Sequence, residues 1–319
     1  TATGEAVSLF AVPGLEKYWG SDTFVTEALT LEALSALDKA KRYNQPFFLY
    51  MAHYAIHVPI DKDKRFYQKY IDKGLSPKEA AYAALVEGMD KSLGDLLAWL
   101  EANDEADNTV VIFMSDNGGL ACAPDWRDGE IHTQNNPLRS GKGSAYEGGI
   151  RVPMIVRWPG VVRPESRCDK YVIIEDFYPT ILEMAGIETY QTRQPIDGVS
   201  FLPLLRETGD PSMGRSLFWN CPNIWDATGP GIGPTCTIRD GEWKLVYFYE
   251  TGRKELFNIP EDIGERTDLS SRHPDIVRRL SRKLGERLRA VDAQRPSFKA
   301  TGRPVPWPDE AGEEEVLSR

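Results

Sequence analysis

Apolar residues recur every three or four positions in two long segments of the chain, a spacing typical of amphipathic helices. The first predicted helix follows Asp22, and its apolar stripe comprises Phe24, Ala28, Leu31, Leu34 and Leu37. The second is predicted to begin at Ser76, because Ser76, Pro77 and Glu79 match a capping box with proline in the first turn. We expect Asn103-Asp104 to end this helix, with a buried face made of Ala81, Leu85, Met89, Leu93, Leu96 and Leu100.

Three short apolar runs have the length of strands rather than of helices. They span residues 47–51, 109–114 and 152–158. The run 47–51 is apolar at every position, which predicts a strand buried on both faces. Residues 179–185, followed by Gly186, are typical of a short helix with a glycine stop. The alternation of strands and helices predicts an α/β layered fold.

The pattern changes after residue 211. Two short strands are predicted around Asp240-Gly241, with a second hairpin around Thr251-Gly252. A basic amphipathic helix follows, whose apolar face comprises Ile276, Leu280, Leu284 and Leu288. We therefore expect two domains: residues 1–211 as an α/β core, and residues 212–319 as a small antiparallel sheet with a helix. The Pro-rich and then acidic residues 300–319 are expected to form a loosely attached tail.

Composition and charge narrow the classes of partner. The 319 residues include 38 Lys and Arg against 48 Asp and Glu, which gives a formal net charge of −10. This balance argues against nucleic acid or anionic lipid as the main partner, because both require clustered positive charge. No apolar run approaches the roughly 20 residues of a membrane helix. The four cysteines have no metal-binding spacing and leave disulfide formation open: Cys122, Cys168, Cys221 and Cys236.

An acid and an amide stand side by side directly after the predicted strand 109–114. Asp116 and Asn117 are followed by two glycines, which allow the backbone to turn sharply. Ligands gather beyond the carboxyl ends of strands in open α/β sheets, and side-chain oxygens of this kind suit Ca²⁺ or Mg²⁺. The alternative is an ordinary Asn-Gly turn after a strand.

Lys142 lies between two glycines in a glycine-rich loop. An ammonium in such a loop can serve as a point charge for an anion, because no neighbouring side chain crowds it. The segment is not a P-loop, since the GxxxxGK[ST] spacing is absent. The alternative is a solvated lysine.

Two of the four histidines, His53 and His57, follow the apolar run 47–51. Either would be a proton donor near neutral pH, or both are hydrogen-bonded packing residues. His132 precedes Lys142 in the glycine-rich region and is a candidate pocket residue, whereas His273 is expected to be structural.

Four segments, taken in order, resemble the sulfatases of the alkaline-phosphatase superfamily. They are PFFLYMAHYAIHVP, FMSDNGG, PLRSGKGSAYEGGIRVP and DFYPTILEMAGI, and the later stretch IRDGEWKLVY is similar to the sulfatase C-terminal subdomain. The resemblance implies an α/β fold. Its expected parts are an alkaline-phosphatase-like layered αβα core, incomplete at the N-terminus, and a small C-terminal antiparallel sheet plus helix.

The resemblance also implies roles for individual residues. Asp116 and Asn117 would be two of the Ca²⁺ ligands, and Lys142 would contact the sulfate group. His57 would face the sulfate ester and protonate the leaving oxygen, while His53 and His132 remain pocket candidates without an assigned role. Sulfatases hydrolyse sulfate monoesters with a formylglycine nucleophile, so the implied partner is a sugar or aryl sulfate. Glu147 and Arg151 are expected to hold the loop in shape.

The sequence departs from the family pattern at the nucleophile. No Cys/Ser-x-Pro-x-Arg motif occurs, and the partial match at Cys122 has Trp126 where the motif requires arginine. In the family this motif and two further metal-binding aspartates lie upstream of the region at which Thr1 begins. We therefore expect a longer parent protein, weak Ca²⁺ binding or none, no turnover by this chain alone, and an exposed apolar surface or an unpaired sheet edge. The resemblance implies a periplasmic or secreted location.

Two alternatives remain open from the sequence. The first is a phosphodiesterase or phosphonate hydrolase of the same superfamily, although Asn117 beside Asp116 favours a single hard cation and a monoester. The second is a non-catalytic pseudo-sulfatase that binds without turnover. The segment between Gly119 and Pro137 is the predicted specificity loop, since loops at strand ends carry binding residues.

Overall fold

The structure is a computed structural model that describes residues 12–122, 132–187, 189–225 and 227–311. Its chain divides into two compact units, Thr1–Thr109 and Val110–Arg319, and each is described here by itself. The expected domain boundary after residue 211 stays a prediction.

The first unit is helical. Its elements are a 3-10 turn at Glu16–Tyr18, helix α1 at Val25–Arg42, helix α2 at Tyr67–Asp72, helix α3 at Pro77–Ala102 and a 3-10 turn at Ala106–Asn108. Helices α1 and α3 are joined by a buried hydrogen bond of 2.6 Å between Thr30 Oγ1 and Ser92 Oγ. Trp99 Nε1 of α3 also donates to Asp38 Oδ1 of α1, at 2.7 Å.

The predicted ends of α3 are confirmed. Ser76 Oγ accepts from the Glu79 amide at 3.3 Å, and the Glu79 carboxylate accepts from the Ser76 amide, which completes the capping box. The stripe predicted for α1 is shifted, because Leu31 is 44% exposed. The helix instead buries Thr26, Ala28, Thr30, Ala33 and Leu37.

The strand predicted at residues 47–51 is wrong. The segment has no regular secondary structure and pairs with no strand among the described residues, and Phe48 and Tyr50 are 73% and 81% exposed. A strand forms only when a neighbouring strand receives its backbone hydrogen bonds, so an apolar run by itself does not specify one. The expected exposed apolar surface is present at these two side chains.

The second unit contains helices and two sheets. Its helices are α4 at Glu147–Ile150, α5 at Phe177–Met184, α6 at Leu202–Leu205 and α7 at Pro274–Ala290. Its strands are β1 at Val111–Met114, β2 at Met154–Arg157, β3 at Ser216–Cys221, β4 at Thr235–Asp240, β5 at Trp243–Phe248 and β6 at Lys254–Asn258. Strands β1 and β2 pair antiparallel with Phe113 opposite Ile155, and β3-β4-β5-β6 form an antiparallel sheet.

Helix α7 covers one face of the four-stranded sheet, as the sequence predicts. Leu280, Leu284 and Leu288 pack against Ile238 and Leu245, and all five are fully or almost fully buried. The predicted hairpins are also confirmed. The turn after β4 places Gly241 at φ +59°, a left-handed conformation that glycine adopts without strain.

The prediction of a loosely attached tail is wrong for residues 300–311, the described part of that segment. Val305 and Trp307 are 4% and 6% exposed and belong to the core under α7. Tyr247 donates a 3.0 Å hydrogen bond to the Pro306 carbonyl, and the Trp307 ring contacts Tyr249. Isolated apolar residues among prolines give no periodic pattern, so the sequence does not reveal this burial. Residues 312–319 lie outside the described part.

Asp240 predicts a pH dependence of stability. Burial alone would raise its pKa, but hydrogen bonds from Lys283, Ser216 and Arg279 outweigh burial and lower the pKa to about 2. A carboxyl group with a lowered folded-state pKa stabilises the fold above its unfolded value, and the effect is lost as the pH falls from about 4 toward 2. We expect Asp240→Asn to reduce the free energy of unfolding by about 1 kcal/mol at pH 7, after allowance for solvent screening.

Urea unfolding at pH 7 and at pH 3 measures this difference. Asp292→Asn is the control, because the Asp292 carboxylate has no hydrogen bond or ion pair to another described residue. An Asp240→Asn effect that stays constant down to pH 3 would contradict the assignment.

Candidate active site

The acid–amide pair lies directly beyond the end of β1. Asp116 is exposed and Asn117 half-buried. Ser115 Oγ donates to the Asn117 carbonyl at 2.9 Å, and Asn117 Nδ2 donates to the Gly118 carbonyl at 3.1 Å. Among the described residues, neither the Asp116 carboxylate nor Asn117 Oδ1 has a hydrogen-bonded or ion-paired partner. Hard oxygen atoms are therefore presented at this strand end.

The backbone after this pair interlocks with the loop that carries Lys142. The Gly118 amide donates to the Gly149 carbonyl at 3.0 Å, and the Lys142 amide donates to the Gly119 carbonyl at 3.0 Å. A Cβ atom on Gly118 would lie 1.7 Å from the Gly148 carbonyl oxygen. Only glycine permits such an approach of two backbones. The structure thus brings Asp116, Asn117 and Lys142 onto two joined loops.

Asn135 braces the same junction. Its Nδ2 donates to the carbonyls of Gly119 and Ser140, both at 2.9 Å, and its Oδ1 accepts from the Gly119 amide at 3.1 Å. One amide side chain therefore links the strand-end loop to the segment before Lys142. Such a linkage fixes the backbone while leaving the neighbouring charged side chains unengaged.

Lys142 is half-buried, and its ammonium has no hydrogen bond or ion pair within the described residues. By contrast, the Lys244 ammonium forms ion pairs with Glu147 of the same loop and with Glu265. An unpaired ammonium on a rigid backbone can attract an anion without first breaking an internal contact. Within the described part of the chain, no three His, Cys, Asp or Glu side chains are grouped as a metal site.

A buried ion cluster joins the Lys142 loop to the C-terminal sheet. Lys244 of β5 is 0% exposed, and its Nζ lies 2.9 Å from Glu147 Oε1 and 2.8 Å from Glu265 Oε1. The Glu147 amide donates to Glu265, and Arg151 Nε donates to Glu147 Oε2 at 2.7 Å. The expected role of Glu147 and Arg151 in holding the loop agrees with these contacts.

The two carboxylates of this cluster have opposite shifts. Burial alone would raise the pKa of Glu147, but the charges of Lys244 and Arg151 outweigh burial and lower it. Burial raises the pKa of Glu265 in spite of its contact with Lys244. For Glu147 the two cations thus outweigh the cost of burial, whereas for Glu265 burial outweighs the single ammonium.

A second set of contacts fixes the other side of the loop. Tyr146 donates to Glu255 of β6, and the Arg139 guanidinium lies 3.9 Å from the centre of the Tyr146 ring. Arg139 also donates to the Glu265 carbonyl at 2.9 Å. The loop from 139 to 151 is therefore attached to β5, to β6 and to the turn after β6.

His53 and His57 belong to the first unit. His57 is exposed, and its Nδ1 lies 2.8 Å from the Val58 carbonyl. His53 is half-buried, and burial lowers its pKa. Its Nδ1 has no hydrogen-bonded partner among the described residues. The convergence of these histidines with Lys142 stays a prediction.

The remaining predicted residues have mixed outcomes. His132 is buried in the second unit, at 9% exposure, and its place in a substrate pocket stays a prediction. His273 contacts the Trp243 ring, as expected of a structural residue. Most of the predicted specificity loop, residues 123–131, lies outside the described part of the chain. All four cysteines are described and are free thiols.

Three residues that hold the loops of the candidate site are not predicted from the sequence: Asn135, Lys244 and Glu265. Lys244 follows Trp243 in a strand where a charged residue is ordinarily solvated, and its partners lie 97 residues upstream and in the turn after β6. The one available signal was the order of the resembling segments, because it already associates the Lys142 loop with the stretch that contains Lys244.

Removal of Lys244 predicts a large loss of stability. Lys244→Ala would remove the ammonium from buried Glu265 and leave Glu147 with Arg151 alone, so we expect the free energy of unfolding to fall by about 3–5 kcal/mol. Lys283→Ala is the control, because Lys283 forms a half-exposed ion pair with Asp240, and its effect should stay below about 1 kcal/mol. Urea unfolding of the three proteins measures both. Equal effects of the two substitutions would show that the buried cluster is not a structural tie.

The close approach of the two loops predicts that a side chain at Gly118 also reduces stability. Gly118→Ala would place a methyl group against the Gly148 carbonyl, so the loops must separate, and we expect a destabilisation of about 3 kcal/mol. Gly209→Ala is the control, since its Cβ would meet only Pro203 Cβ at an ordinary 3.7 Å. Thermal unfolding distinguishes them, and a neutral Gly118→Ala would refute the interlock.

Comparison with known proteins identifies the family. The Sulfatase family model matches residues 9–187, and the model for the N-sulphoglucosamine sulphohydrolase C-terminal region matches residues 141–294. A curated sulfatase of Formosa agariphila is 34% identical, with 91% of this chain and 54% of that protein covered. Human N-acetylgalactosamine-6-sulfatase is 32% identical, with 81% of this chain and 50% of that protein covered. The chain spans about half the length of the curated relatives it matches.

Solved structures agree with this assignment. The crystal structure of Ps i-CgsB in complex with k-i-k-neocarrahexaose has a TM-score of 0.72 and 30% identity, and the match covers 86% of this chain and 56% of that chain. The likeness confirms the alkaline-phosphatase-like fold class. In the described part of this chain, no helix has the length and apolar character needed to cross a membrane. The family-model match extends over more than half of the residues, and the chain belongs to the sulfatase family.

Proposed function

We propose that this chain contributes part of the active site of a sulfuric ester hydrolase that cleaves a sulfate monoester of a sugar. The observation that carries the proposal is the junction of the Asp116-Asn117 strand end with the Lys142 loop. It presents a carboxylate, an amide oxygen and an ammonium on one interlocked backbone, and none of these groups has an ionic partner among the described residues.

The side-chain oxygens at the strand end are of the type that binds a hard cation. Asn117 Nδ2 is occupied by the Gly118 carbonyl, which leaves Oδ1 available as a ligand beside the Asp116 carboxylate. These residues would hold Ca²⁺ through two oxygens, while Ca²⁺ takes six to eight, so further ligands must come from elsewhere. When bound, Ca²⁺ supplies positive charge that stabilises the anionic transition state at sulfur.

Lys142 would place its ammonium against a sulfate oxygen. Because the glycine-flanked backbone is held by the Gly119 carbonyl, the ammonium is positioned before the substrate arrives, and electrostatic stabilisation then requires little reorganisation. His57 is proposed as the group that protonates the leaving oxygen. His53 and His132 are proposed as substrate-binding residues. The formylglycine nucleophile of the family would be supplied outside this chain.

The substrate class rests on relatives. One relative is named N-acetylgalactosamine-6-sulfatase, and one structural neighbour was solved in complex with k-i-k-neocarrahexaose. Sugars carrying a sulfate ester are therefore the proposed substrates, with N-acetylgalactosamine 6-sulfate as the first compound to test.

The test uses the complete product of the gene that encodes this chain. Release of inorganic sulfate is measured from N-acetylgalactosamine 6-sulfate and from an aryl sulfate, with and without a metal chelator. We expect release that the chelator abolishes and Ca²⁺ restores. Failure to release sulfate from either ester would overturn the proposal.

Lys142→Ala should lower kcat/KM for sulfate ester hydrolysis by about a hundredfold to a thousandfold, because the variant loses a charge directed at the transition state. Stability should change little, since the Lys142 backbone and not its side chain forms the internal contacts. Lys170→Ala is the control, because the exposed Lys170 pairs only with Asp210 at 3.1 Å. Undiminished hydrolysis by Lys142→Ala would remove the lysine from the mechanism.

A further inference from the structure

The loop between β3 and β4 is built onto the Lys142 loop. Ser140 Oγ and Ser144 Oγ both donate to the Pro230 carbonyl, at 2.7 and 2.9 Å. The Ala145 amide donates to the Gly231 carbonyl at 3.0 Å. We call residues 222–234 the β3–β4 loop. These three bonds attach Pro230 and Gly231 of this loop to residues on both sides of Lys142 in the sequence.

One side chain of the β3–β4 loop lies directly against the residue after Lys142. A Cβ atom on Gly143 would lie 2.1 Å from both Cε3 and Cζ3 of Trp225. Gly143 also has φ +85°, which L side chains rarely adopt. Glycine is thus required at position 143 for two reasons, and one of them is the indole ring of Trp225.

Trp225 has properties that suit recognition as well as packing. Trp225 is half-buried, so part of the residue is accessible to solvent. Indole combines a broad apolar face with an N–H donor and loses few rotamers on binding, which favours it at sites that bind ligands. A sugar ring has the matching chemistry, since its C–H groups form an apolar face and its hydroxyl groups lie at the edge.

We propose that Trp225 is a specificity-determining residue that binds the sugar ring of the substrate while Lys142 binds the sulfate group. The inference rests on the proposed function and adds the element that distinguishes a saccharide sulfate from sulfate itself. The geometric basis is the contact of Trp225 with Gly143, the residue that follows Lys142 in the sequence. A tryptophan that only filled space would contribute to stability and not to the choice of ligand.

The experiment measures binding in the presence of a metal chelator, which is expected to prevent turnover of the ester. The complete gene product and its Trp225→Ala variant are titrated calorimetrically with N-acetylgalactosamine 6-sulfate and with inorganic sulfate. We expect Trp225→Ala to weaken saccharide binding about tenfold and to leave sulfate binding within about twofold. Trp225→Phe, which retains an aromatic face, should restore most of the affinity. Ile224→Ala is the matched control, because it removes an exposed side chain, 74% exposed, from the same loop.

Each outcome decides the question. Equal losses for the saccharide and for inorganic sulfate would assign Trp225 a structural role and overturn the proposal. So would an equal loss in Ile224→Ala, an unchanged affinity in Trp225→Ala, or no saccharide binding by the unsubstituted protein. Absence of ester hydrolysis with saccharide binding that still depends on Trp225 would overturn the proposed enzymatic function and leave this inference intact.

Discussion

The buried ammonium of Lys244 is the contact on which the arrangement of the second unit depends. It joins Glu147, in the first turn of α4, to β5 and to Glu265 after β6. An ammonium at 0% exposure is costly unless its charge is neutralised, so the cluster tolerates little displacement of any partner. The ion cluster thereby anchors the loop that carries Lys142 to the C-terminal sheet, although loop and sheet are distant in sequence.

Above this tie, the site is assembled from backbone rather than from side chains. Glycines at 118, 148 and 149 let the strand-end loop and the Lys142 loop touch, with amide–carbonyl bonds between them. Backbone contacts of this kind use no charged group. As a result, the Asp116 carboxylate and the Lys142 ammonium have no ionic partner among the described residues, whereas Glu147 is paired with both Arg151 and Lys244.

The sequence predicts what local rules determine and misses what distant partners determine. The capping box of α3, the β4–β5 turn and the apolar face of α7 follow from spacing within one element, and the structure confirms them. The run 47–51 was interpreted as a strand because every position is apolar, but strand formation requires a neighbour that sequence pattern does not supply. The burial of Lys244 is missed for the opposite reason, since a charged residue in a strand is typical of a solvated face. For the candidate site, the motifs identified Asp116, Asn117 and Lys142, whereas Asn135 and Trp225 became visible only through contacts across the fold.

Stability and recognition are consequently separable in this unit. The residues that hold the loops are buried, glycine or backbone-bonded, and a change in any of them moves the loops themselves. The residues proposed to meet the ligand, Lys142 and Trp225, extend from loops whose backbone is fixed by other contacts. A substitution at either position therefore alters charge or apolar area without releasing the scaffold. Ligand preference can then change in the β3–β4 loop while the ion cluster and the glycine contacts stay the same, because those contacts hold the loops in position.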